Sequence, residues 1–157
     1  MKHILSKALV VLALGSASTF AADNANQKLN FQVQPFVNIT LADASLNLVI
    51  SSIPLGGQGE ATASSSYALV NNKAGQKITA SLDSDMPAAT ALQLTAAAPT
   101  GAKAAGAVTL SAKAVNIASD VSNVNQSGLG LAYSFKASEQ ASTAAFVRTV
   151  TYTVISD

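Results

Sequence analysis

Apolar residues fall on every second position from Lys28 to Leu41, KLNFQVQPFVNITL, where Leu29, Phe31, Val33, Val37, Ile39 and Leu41 share one parity. A period of two is the mark of a half-buried strand, because successive side chains point to opposite sheet faces. At about 3.3 Å per residue the stretch would extend over roughly 45 Å, more than one strand of a small domain needs. Pro35 interrupts it. Proline gives no N–H to a ladder, so the stretch must be an edge strand, a kinked strand or two short strands in succession. A switch from one sheet or one subunit to another suits that position, with Val37 to Leu41 as the domain's own first strand and Lys28 to Gln34 either paired within the same domain as part of an ordinary first strand or free to complete a neighbour's sheet.

The same period recurs downstream. Leu46, Leu48 and Ile50 form a second run, closed by Pro54-Leu55-Gly56-Gly57. Ser64 to Val70 and Lys77 to Leu82 flank the turn formers Asn71-Asn72-Lys73-Ala74-Gly75, and together they predict a hairpin. Further strands are expected at Leu92 to Ala96, Val108 to Ser111, Ala114 to Ile117 and Leu129 to Phe135, with Ser119 to Gly128 as a polar connection. Phe146 to Ile155 is the strongest strand by β-branched content. Ala102 to Gly106 is rich in alanine but too short to hold a helix. Seven to nine short strands without a convincing helix predict an all-β chain, an immunoglobulin-like Greek-key β-sandwich with an extended N-terminal strand. A small barrel is the other architecture this pattern allows.

Residues 1–21 change the picture by adding a compartment. Lys2, His3 and Lys7 make a basic start, Ala8 to Leu14 an apolar core, and Thr19-Phe20-Ala21 a cleavage site of small-residue type, as in a secretory signal. The expected organisation is a signal peptide over 1–21, an N-terminal extension and donor strand over 22–34 and a β-sandwich domain over 35–157. No apolar run approaches the about 20 residues a membrane-spanning helix needs, so no transmembrane anchor is expected. Export then leads to the cell surface, a fimbrium or the extracellular matrix.

Composition narrows the chemistry. With the signal removed, seven Lys and Arg face eight Asp and Glu, a formal charge of −1 that offers nothing to nucleic acid. The single histidine, His3, lies in the signal, and cysteine and tryptophan are absent. General acid-base relays, nucleophilic triads and transition-metal sites draw chiefly on His and Cys. No enzyme is therefore expected, and no catalytic, cofactor-binding or metal-binding residue is assigned.

The remaining polar clusters have simpler roles. Asp83-Ser84-Asp85, with Asp120 approaching from another loop, has the oxygen ligands that calcium favours but not the glycine and glutamate spacing of a calcium loop, so turn chemistry is expected. Glu60 and Glu139, the only glutamates, invite comparison with a glycosidase pair, but nothing fixes their separation. Asn38-Ile39-Thr40 and Asn125-Gln126-Ser127 match the glycosylation triplet, which arises readily by chance in such a chain. Arg148, the lone arginine, is expected to pair with a carboxylate at the end of the sheet.

The signal, the short polar leader, the alternating strand followed by Val33-Gln34-Pro35-Phe36-Val37 and the cysteine-free all-β body together resemble the major pilins of the alpha, or class 5, chaperone-usher fimbriae. Secreted biofilm-matrix fibre proteins with immunoglobulin-like domains are similar in the same way. The likeness is carried by residues 22–41 and is one of architecture. It implies an incomplete sandwich whose missing strand comes from the next subunit's N-terminus, with Leu29, Phe31 and Val33 as the side chains that enter pockets. Self-association into a polymer, with a periplasmic chaperone and an usher as handling partners, follows from the resemblance. The competing expectation is a monomeric secreted binding or adhesion module that uses the loops Gly56 to Ala61 and Pro99 to Gly106.

Overall fold

Period-2 alternation becomes nine strands and no helix among residues 24–157, the part of the chain that the computed structural model describes. The chain divides into two units, Met1–Gln32 and Val33–Asp157. The signal expected over 1–21 lies outside the described residues. Within the first unit, residues 24–32 form no strand, and Leu29 and Phe31 expose 62% and 88% of their surface. The stretch from Lys28 to Gln34 is thus not a strand within this chain: alternation alone gives its backbone no partner.

The second unit holds β1 (Val37–Leu41), β2 (Gln58–Asn71), β3 (Gln76–Leu82), β4 (Thr90–Ala96), β5 (Lys103–Ala104), β6 (Ala107–Thr109), β7 (Val115–Val121), β8 (Val124–Ser138) and β9 (Val150–Ser156). Two antiparallel sheets form, in the orders β1-β2-β8-β4-β6 and β5-β7-β3-β9. Their inner residues, among them Leu69, Leu94 and Leu131 of the first sheet and Ile78, Ala80 and Ile117 of the second, make one buried cluster, a β-sandwich-like arrangement. β1 begins two residues after Pro35, as the proline requires.

The register defines two ends of this unit. At the turn end lie Val37 opposite Asn71 and Gln76 opposite Ser156. The Asp157 N–H donates to the Gly75 carbonyl there, at 3.0 Å. At the loop end lie Gln58 opposite Ser138, Thr90 opposite Ala137 and Leu82 opposite Val150.

Four local expectations change. β2 and β3 are not a hairpin, because they belong to different sheets and the Asn72–Gly75 turn carries the chain across the core. Gly75 supports that crossing at φ +63°. The expected Ser119 to Gly128 connection shrinks to Ser122-Asn123: Val121 and Val124 are buried, and their polar neighbours are the outward partners of strand residues. β2 starts at Gln58, so most of the expected loop Gly56 to Ala61 is strand.

The Leu46, Leu48, Ile50 run is no strand either. Ala42 N–H still donates to the Ser66 carbonyl, and Asp43 accepts from Ser65 Oγ at 2.7 Å, but the chain then leaves β2 without a ladder. Leu46 and Leu48 nevertheless pack against the core. Further on, residues 50–53 close over Gly59, where a Cβ would fall against Ile50 and within 2.9 Å of Ile53 Cγ1 and the Ser52 carbonyl.

All three tyrosines join the core. Tyr133 of β8 and Tyr152 of β9 share a hydrogen bond of 2.5 Å between their hydroxyls, linking the two sheets, while Tyr67 Oη donates to the Ala97 carbonyl at 2.7 Å. Burial raises all three phenols and pushes Tyr67 up to about 12. The folded state therefore keeps protons that the unfolded chain releases near pH 10, so this contribution to stability is intact below about pH 10 and is lost as pH climbs toward 12. Tyrosinate absorbance followed together with circular dichroism should show ionisation and loss of strand signal in one step above pH 10. Replacing Gly59→Ala should cost about 1–3 kcal/mol by forcing residues 50–53 off β2, read as a lower urea midpoint.

Candidate functional site

The feature that stands apart is a pair of edge strands, β1 and β9, that come together along one side of the sandwich. Each is hydrogen-bonded on one side only, β1 to β2 and β9 to β3. Directly opposed residues share a sheet face. Val150, Tyr152 and Val154 therefore point inward with Leu82, Ala80 and Ile78. The β3 residues are fully buried, yet their β9 partners, packed on the same core, are only half-buried. The same holds across the gap: Val37, Ile39 and Leu41 oppose buried Asn71, Leu69 and Tyr67, but Ile39 is half-buried and Val37 and Leu41 are exposed.

The inner face is thus less well covered along β1 and β9 than along the strands they pair with. The edges themselves are also unguarded. Natural edge strands are usually blunted by charge, proline or a bulge. VNITL in β1 and VTYTVIS in β9 have no charged residue and no proline, and the β3–β9 ladder runs without a register shift. The free side of β9 thus presents a row of backbone donors and acceptors beside a strip of uncovered apolar side chains.

Asn72, which the sequence marks only as a turn former, holds the entry to β1. Its Oδ1 accepts from the Phe36 N–H at 2.8 Å, its Nδ2 donates to the Gln34 carbonyl at 3.0 Å, and its own N–H donates to the Phe36 carbonyl at 3.3 Å. The chain on either side of Pro35 is therefore anchored to the turn end. Val33, just before this anchor, exposes 81% of its surface.

The polar candidates are spent on local structure. Asp83 Oδ1 accepts from the N–H groups of Ser84 and Thr149, and Asp85 Oδ1 accepts from that of Ala112 at 2.8 Å. Asp120 pairs instead with Lys103 Nζ at 2.9 Å. Glu60 accepts from Ser134 Oγ, and Glu139 from the Gly56 N–H beside a shallow depression of about 290 Å³. Arg148 corrects the expectation of a carboxylate pair: it precedes β9, donates from Nε to the Asp85 backbone carbonyl at 3.0 Å and lies 5.2 Å from the Phe146 ring centre. Phe146 in turn meets Phe135 edge to face. No helix among the described residues is long and apolar enough to cross a membrane.

No protein-family model matches this chain, and no curated protein sequence matches it significantly.

The Asn72 anchor can be tested directly. Asn72→Ala removes two side-chain hydrogen bonds at about 1 kcal/mol each before solvent compensation. It should leave the β2–β9 core folded while amide exchange at Phe36 and through β1 becomes faster.

Proposed function

We propose that this chain is the structural subunit of an extracellular fibre, a fimbria, pilus or matrix filament, assembled by exchange of the N-terminal strand. The observation that carries this is the unguarded edge of β9 with its half-covered inner face. An extended segment that added there would satisfy the free ladder through main-chain bonds and cover the strip with alternate side chains. Lys28 to Gln34 has that form: seven residues against the seven of β9, with Leu29, Phe31 and Val33 at the required spacing. Burying these three side chains would contribute about 1.5–3 kcal/mol each.

On this reading the sandwich is an incomplete immunoglobulin-like Greek key, and a second copy supplies its last strand. The subunit is exported, and a periplasmic chaperone and an usher are the partners that would cover the β9 edge before assembly. Leu29, Phe31 and Val33 are interface residues rather than elements of a catalytic site, and the subunit needs no cofactor to assemble.

The test is size-exclusion chromatography with electron microscopy of the chain starting at Ala22, compared with one starting at Pro35 and with the L29S/F31S/V33S variant. Filaments or high oligomers are expected only from the first. If all three behave as the same stable monomer, the proposal fails.

A further inference from the structure

Strand addition at β9 has a consequence for the rest of the subunit surface, and it rests on the fibre reading above. Every ladder in the domain is antiparallel, and antiparallel pairing is the slightly more stable kind per residue. Leu29, Phe31 and Val33 face the core only when they stand opposite the inward residues of β9. One antiparallel register seats all three: Leu29 opposite Val154, Phe31 opposite Tyr152 and Val33 opposite Val150. Gln34 then falls opposite Thr149, at the loop end of the acceptor.

Only Pro35 and Phe36 separate Gln34 from Val37. Three Cα steps of 3.8 Å place the incoming copy's β1 within about 11 Å of the acceptor's loop end. In that incoming copy, Val37 and Phe36 lie at the turn end, tied there by Asn72. The short link leaves no room for the two bodies to stay apart. We infer that a second contact accompanies strand exchange, in which the turn end of the incoming copy seats on the loop end of the acceptor and covers Leu55 and Val147.

Two observations fit this occupant. Leu55 and Val147 are the most exposed apolar residues of the loop end, at 99% and 83%. Phe36, brought over them by the link, is itself an exposed apolar residue. The contact is heterologous, since the turn end meets the loop end, so it can repeat from copy to copy, and in an open filament it adds stiffness.

The native chain has no cysteine, so introduced thiols are unique. Leu55→Cys combined with Ala74→Cys, an exposed position in the same turn that leaves Asn72 intact, assembled and treated with a thiol cross-linker matched to the about 11 Å reach of the link, should give a ladder of covalent oligomers, and neither single variant should. Filaments that form but give no ladder overturn the contact, and dimers from Ala74→Cys alone overturn it by showing a turn-to-turn, parallel arrangement. As a second measurement, the L55S/V147S variant should still assemble but give filaments of shorter persistence length that dissociate at lower denaturant. Filaments indistinguishable from wild type overturn the contact while strand exchange stands. If the wild-type chain does not assemble at all, strand exchange itself falls, and the contact falls with it.

Discussion

A β-strand has two sides, and each carries donors and acceptors that need partners. In this domain that requirement is met through the interior of both sheets and left open at the edge strands, of which β1 and β9 are longer than β5 and β6. β3 is paired on both flanks, and its inner side chains are sealed. One strand further out, at β9, the ladder stops, and Val150, Tyr152 and Val154 are only half-buried. Hydrogen bonding and apolar burial are thus incomplete at the same place. In the proposed fibre, one added strand would meet both needs at once.

The core explains why such an edge can exist without unravelling. Tyr133 and Tyr152 join the sheets by a hydrogen bond across the interior, so β9 is held from the side as well as by β3. The C-terminal residue is pinned to Gly75. The last strand is therefore fixed at its end and at its centre, leaving its outer flank presented rather than frayed.

Alternation along the chain was enough to place most strands and to tell inward from outward side chains, since parity depends only on the pleat. It could not say which strand pairs with which. Leu46, Leu48 and Ile50 show the limit: Leu46 and Leu48 pack against the core as strand side chains would, yet none of the three belongs to a ladder. Ser64 to Val70 and Lys77 to Leu82 show it again, since a turn between two alternating runs is equally compatible with a hairpin and with a crossing between sheets. The Ser119 to Gly128 stretch was obscured by its polar residues, which occupy the solvent side of strands whose inner positions are only Val121 and Val124. The open edge itself was not legible, because half-burial is a property of what is absent from one flank. Leu29, Phe31 and Val33 were legible as an alternating apolar set, and the structure adds that they are exposed. Asn72 carried no signal beyond turn propensity, because its role depends on a residue 36 positions away.

The Asn72 anchor also decides how the domain bears mechanical load. A pull on the N-terminal segment enters through Gln34 and Phe36, where three hydrogen bonds hand it to the turn between β2 and β3. Those two strands belong to different sheets, so tension is divided between both layers instead of being concentrated on β1. The five-residue β1, paired on one side only, is thereby spared from being peeled away one bond at a time.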